Sequence, residues 1–191
     1  MIISSEELRL QKNRSYKLIL VFAMVSMTMM FAGITSAYII GKSRPDWIKD
    51  FQLPTAFFYS TAAILMSSVT IHLAKKSIQK NNRQATTIFL FATLALGILF
   101  AYLQRLGFYE LSLKSLYPTG GSITISFLFV IVLAHILHLA GGLLSLIITI
   151  YNHFKQKYNS TQFVGIELSA MYWHFLDMIW VLLFLLLFFF K

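Results

Sequence analysis

The sequence predicts an all-α, polytopic membrane protein: a bundle of five transmembrane helices with the N-terminus inside and the C-terminus outside. Three observations lead there. Of 191 residues 58% are apolar and only 12% charged, about half the charged share of a soluble domain, and the mean hydropathy is +0.71. Five runs reach the roughly 20 apolar residues that a helix rising 1.5 Å per residue needs to cross about 30 Å of hydrocarbon. Lys and Arg are unevenly shared between alternate connections. Ten fall in the N-terminal segment through Lys17 and the 75–83 and 153–163 segments, and six on the other side; the richer side is the cytoplasmic one.

Residues 1–16 read as a cytoplasmic tail ahead of a single five-helix domain over 17–191. Within the tail Ser4-x-x-Glu7 resembles a capping box, which suits a short surface helix. The first run, 17–41, is too long for the apolar core of a signal peptide and lacks a clear cleavage site, so it reads as a retained span. Gly41 to Pro45 closes it, and Pro54 opens the second span, 54–74. Lys75, Lys76, Lys80 and Arg83 form a basic loop before the third, 85–109. Pro118, Gly120 and Gly121 break the chain before the fourth, 123–151, and the Phe- and Leu-rich fifth covers 164–190. No soluble domain, repeat or low-complexity tail interrupts this order.

Composition also excludes function classes. Cysteine is absent, which removes disulfides, thiolate-bound zinc, iron–sulfur clusters and thiol catalysis. The net charge of +9 sits in short segments between apolar runs, where phospholipid headgroups and not nucleic acid are the partners. His72, Lys75, Lys76, Trp47, Lys155 and Lys157 are the expected headgroup or interface contacts. No phosphate loop, nucleophile elbow, zinc-protease pattern or dinucleotide fingerprint occurs, so the chain by itself is not expected to be catalytic.

Chemistry is concentrated in the last two spans. At 100° per residue His135, His138, Gly142 and Ser145 share one stripe of the fourth, and Glu167, Ala170, His174 and Asp177 one stripe of the fifth. Ionisable groups at membrane depth cost about 2.5–3.5 kcal/mol each at a helix centre and face protein or a cavity. An intramembrane polar packing cluster of His135, His138, Glu167, His174 and Asp177 is therefore expected, with small residues allowing close helix approach. Two other chemistries use the same side chains. Imidazoles on one face can ligate a metal or haem, as in a small b-type haem protein held by His135 or His138 opposite His174. Glu167, His174 and Asp177 can also relay protons. A transporter with a midplane site is a further alternative, although no broken helix or repeat symmetry is present.

One family resemblance runs through these segments. Glu167, four residues, then Tyr172-Trp173-His174-Phe175-Leu176-Asp177-Met178-Ile179-Trp180 strongly resembles the closing helix of haem–copper oxidase subunit III. That helix reads approximately Glu, four residues, Tyr-Trp-His-Phe-Val-Asp-Val-Val-Trp. Ser126-Phe127 followed by His135-x-x-His138 is similar to the preceding helix of that family. Phe31-Ala32-Gly33 with Ala37-Tyr38, Ser67 to His72, and Leu103-Gln104 match the earlier ones, one element per span and in order. The family has seven-helix and five-helix forms, and the five spans correspond to the shorter.

The resemblance implies an accessory, cofactor-free subunit of a cytochrome c or quinol oxidase in a bacterial plasma (inner) membrane. Haem and copper would lie in partner subunits, with catalytic subunit I and subunit II as neighbours, bound phospholipid, and in the wider setting a respiratory supercomplex. Its implied tasks are stabilising the catalytic subunit, binding lipid and supporting proton uptake in an enzyme that reduces oxygen to water. The chain departs from the family at three positions. Met27 and Gly107 stand where many relatives carry carboxylates, and Ile136 replaces the glycine between the paired histidines.

Overall fold

The computed structural model describes residues 5–45, 47–48, 53–113 and 123–189, and among these the regular structure is entirely helical. The helices are α1 (Ser5–Gly41), α2 (Thr55–Gln79), α3 (Arg83–Leu113), α4 (Ile123–Phe154) and α5 (Val164–Phe189), each long and apolar enough to cross a membrane. The expected capping residue Ser4 and the chain breakers Pro118, Gly120 and Gly121 lie outside the described residues. Helix α1 starts twelve residues ahead of its apolar run. At 37 residues it is about 55 Å long, so its charged first turns, including the Glu6–Arg9 pair at 3.9 Å, extend past the hydrocarbon.

Local chemistry sets the turns. Pro54 precedes α2 with φ −55° and ψ 140°, extended backbone that proline pre-sets. The α2–α3 connection is tight because Asn81 adopts φ 58°, a left-handed conformation that asparagine tolerates at a helix end. The N–H of Asn82 then reaches back to the Ser77 carbonyl at 3.0 Å. Asn82 also opens α3, its Oδ1 accepting from the Ala85 N–H at 3.1 Å. Between α4 and α5, Asn159 Oδ1 accepts from the N–H groups of Thr161 and Gln162 at 3.0 and 2.7 Å, an Asx turn. Tyr158 from the same loop lies on Gly165, where a Cβ would collide with its ring. Burial pushes the Tyr158 phenol above its usual pKa, against the pull of hydrogen bonds with Asn152 and Thr149.

The helices close a ring in the order α1, α4, α3, α2, α5, with α4 also meeting α5 across it and α1 meeting neither α2 nor α3. Hydrocarbon gives apolar helices no solvent-driven reason to associate, so close packing and interhelical hydrogen bonds decide which faces meet. Glycines admit large side chains at three crossings. A Cβ at Gly97 would lie 2.7 Å from Trp173, one at Gly142 2.8 Å from Leu176, and one at Gly107 would strike the Phe57 ring. Hydroxyls then stitch the seams. Ser145 and Thr149 of α4 bond Ser169 of α5 at 2.9 and 2.7 Å, and Thr70 of α2 bonds Thr93 of α3 at 2.8 Å.

Candidate functional site

The fifth helix runs antiparallel to α2, and their polar positions meet in a ladder. Glu167 stands in the first turn of α5, where the helix dipole favours an acid. Its Oε2 lies 2.7 Å from Lys17 Nζ of α1 and its Oε1 3.6 Å from Lys75 Nζ of α2. Helices that do not touch each other are thus joined through one carboxylate. The three side chains are 22–38% exposed, so each pair carries the modest energy of a surface salt bridge, about 0–1 kcal/mol.

Two turns deeper, His174 Nδ1 lies 2.7 Å from Ser68 Oγ of α2, with the exposed His72 ring 6.2 Å away, centroid to centroid. Asp177 is one turn further in and 4% exposed. The Ser68 hydroxyl faces its carboxylate but completes no hydrogen bond to either oxygen. Lys75, His72 and Ser68 on α2 therefore descend opposite Glu167, His174 and Asp177 on α5.

The fourth-helix histidines form a separate arrangement. His135 is fully buried among Phe31, Phe100 and Trp180, at centroid distances of 6.3, 5.8 and 5.2 Å. Neither ring nitrogen has a hydrogen-bond partner among the described residues. His138 pairs its Nδ1 with the Ala134 carbonyl of its own helix at 2.7 Å and packs on Phe31 at 5.5 Å, while Tyr172 Oη donates to the His138 carbonyl at 3.1 Å. The five side chains expected to form one cluster thus fall into two, with Glu167 held by lysines instead of imidazoles. His174 is engaged by α2 and His135 is enclosed by aromatic rings. Among the described residues no three His, Asp or Glu side chains gather as a metal-ligand set.

The remaining sequence candidates lie around the ends of the bundle. Trp47 is 5% exposed and packs edge-on against Tyr38 at 4.9 Å. Lys76, Lys155 and Lys157 are exposed, with Lys155 Nζ 4.6 Å above the Tyr151 ring. Met27 lines a hollow of about 270 Å³ with Leu20, Ser145, Leu168 and Tyr172.

The α2 hydroxyls escaped the sequence reading. Trp173 Nε1 donates to Ser67 Oγ at 2.9 Å and Trp180 Nε1 to Thr61 Oγ1 at 3.0 Å, while Gln104 of α3 donates to Ser60 Oγ at 2.8 Å. The signal was present: two tryptophans seven residues apart each need an acceptor for an N–H that lipid cannot satisfy, and the second span is the one rich in hydroxyls.

Comparison with known proteins covers both the ladder and the aromatic cage. The family model described as cytochrome c oxidase subunit III matches residues 10–191. The chain is 33% identical over 135 residues to cytochrome c oxidase subunit 3 of Aedes aegypti, covering 71% of this chain and 49% of that one. It is 30% identical over 158 residues to the Drosophila melanogaster protein (81% and 58%) and 35% over 138 residues to that of Pelomedusa subrufa (72% and 50%). The chain thus spans about half the length of these curated relatives.

Proposed function

The chain belongs to the cytochrome c oxidase subunit III family, and from that premise we propose that it is an accessory subunit, without a redox centre of its own, of a respiratory haem–copper oxidase. In this reading it packs against catalytic subunit I, with subunit II in the same complex. Haem and copper in those partners reduce oxygen to water and pump protons. This chain stabilises the assembly, binds phospholipid and supports proton uptake. The observation that carries the reading is the in-order match of all five helices, ending on the Glu167 to Trp180 segment.

The lysine-rich connections favour an N-terminus, residues 1–16 included, on the cytoplasmic side. They also favour a bacterial plasma membrane. The animal relatives favour a mitochondrial inner membrane instead, and fractionation of the source cells separates the two.

The α2–α5 ladder serves packing first in this proposal. It leads from the charged membrane edge at Glu167 to the buried Asp177, so a proton route along it is the competing role. Met27 and Gly107 replace the carboxylates of many relatives, and the Phe57 ring fills the volume beside Gly107, which leaves Glu167 and Asp177 as the acids available to such a route.

Gentle purification of the tagged chain from native membranes tests the assignment. A reduced-minus-oxidised spectrum is recorded on the complex and again on the dissociated chain. Haem bands that follow a large partner and leave this chain colourless are expected. A Soret band that stays with the isolated chain would overturn the accessory role in favour of haem ligation by its histidines.

A further inference from the structure

Halfway along the 32-residue α4, at the depth of the acyl chains, the outer edge of the α1–α4 seam carries polar atoms that the five helices leave unused. His138 is half-buried, and the Phe31 ring, 5.5 Å away, packs on it from α1. Its Nδ1 lies 2.7 Å from the Ala134 carbonyl. A carbonyl only accepts, so Nδ1 carries the proton, and Nε2 of the uncharged ring is a bare acceptor. That nitrogen has no partner among the described residues and is not one of their enclosed atoms, so it opens on the surface of the chain.

Tyr172 adds a second acceptor. Its hydroxyl proton goes to the His138 carbonyl at 3.1 Å, which leaves the oxygen with lone pairs to offer. Oη lies beside the exposed Gly141, 3.7 Å from where a Cβ would stand. Ala134, Ala140 and Gly141 give this part of α4 no side chain larger than a methyl, and Leu137 projects beside them at 66% exposure.

A bare acceptor at this depth is costly, because hydrocarbon supplies no donor. Acyl chains therefore leave His138 and Tyr172 unsatisfied, and a second copy meeting this same face would set acceptors against acceptors. A transmembrane helix of another protein satisfies them when it brings an O–H or N–H to this level, and the small residues let its backbone come close. We infer that the α4 face around His138 docks such a helix from a neighbouring subunit, with a Ser, Thr or Tyr hydroxyl or an indole N–H donating to His138 Nε2. The contact rests on the reading of this chain as one subunit of a membrane complex, and adds where a neighbour touches it and through which atom.

The test uses the complex purified through a tag on this chain, with a photoreactive benzophenone residue in place of Leu137. The expected cross-link joins that position to a partner's transmembrane segment carrying Ser, Thr, Tyr or Trp within one turn of the joined residue. His138→Leu should lower retention of that partner in a detergent titration about three- to tenfold, the range of one interhelical hydrogen bond in a membrane. His138→Gln, whose Oε1 stands near the place of Nε2, should restore most of it. The isolated full chain should melt at the same temperature in all three forms, because the Nδ1 bond stays within its own helix. A cross-link only to lipid, to a second copy or to a segment without a donor overturns the contact. So does equal partner retention in the Leu and Gln variants. A lower melting temperature of the isolated His138→Leu chain also overturns it, by assigning the imidazole to the chain's own fold. Haem absorbance of the same preparation is read separately. A haem-bearing complex without the cross-link would sink this contact and leave the oxidase reading standing, and a colourless complex with the cross-link would do the reverse.

Discussion

His135 is an imidazole treated by its surroundings as an aromatic hydrocarbon: three rings enclose it and neither nitrogen is bonded among the described residues. Removing an unsatisfied polar group in exchange for an apolar one of similar shape is neutral or favourable. His135→Phe should therefore hold or raise stability by up to about 1 kcal/mol, measured as thermal unfolding in detergent. A clear loss would mean the ring has a bonding partner in the assembly. His174→Leu should behave in the opposite way, stranding Ser68 at about 1–3 kcal/mol and lowering the yield of assembled complex more than its turnover. A complex that assembles normally yet pumps poorly would favour the proton route. At Gly107 an added methyl meets Phe57. Overpacking of this kind costs about 1–3 kcal/mol, so Gly107→Ala should destabilise, and a paired Phe57→Leu should recover most of the loss.

Between helices the argument turns on seams. The α2–α5 seam sets two tryptophans seven residues apart, Trp173 and Trp180, against two hydroxyls six residues apart, Ser67 and Thr61, with each indole N–H donating to its hydroxyl. Ser67→Ala removes the acceptor from a buried N–H and should cost about 1–3 kcal/mol, whereas Ser15→Ala, whose exposed hydroxyl bonds only its own helix, should cost almost nothing. Parallel melting curves separate them. The stripe on α5 could be read from the 3.6-residue period alone, because Glu167, His174 and Asp177 share a face whatever stands opposite. What stands opposite could not. Glu167 pairs with Lys17 across 150 positions of sequence and His174 with Ser68, choices set by the ring order of the helices, which no local period encodes. The histidines of α4 illustrate the same limit. Their placement on one face was legible, but whether that face met polar groups or Phe100 and Trp180 depended on the neighbouring helix.

For the molecule as a whole, α1 is the least embedded member, with 6% of its most apolar window buried against 28–39% for the others. Its hold on the bundle combines contacts with α4 and α5 with the carboxylate shared by Lys17 and Lys75. Glu167→Gln should weaken that hold by about 1 kcal/mol, and a cysteine placed on α1 at Ile34, which packs against the core, should then be labelled faster by a membrane-soluble maleimide. An unchanged labelling rate would assign the hold to packing alone. The same arrangement imposes a schedule on biogenesis. Helix α1 leaves the ribosome ahead of α4 and α5, against which it settles, so at about 5–20 residues per second it waits roughly 6–25 s for α5 to begin to emerge. During that interval its apolar flank belongs to the bilayer or to an insertion chaperone, and Lys17 has no acid to meet. Truncated nascent chains should therefore capture α1 in contact with the insertion machinery until Glu167 has emerged, and release it afterwards.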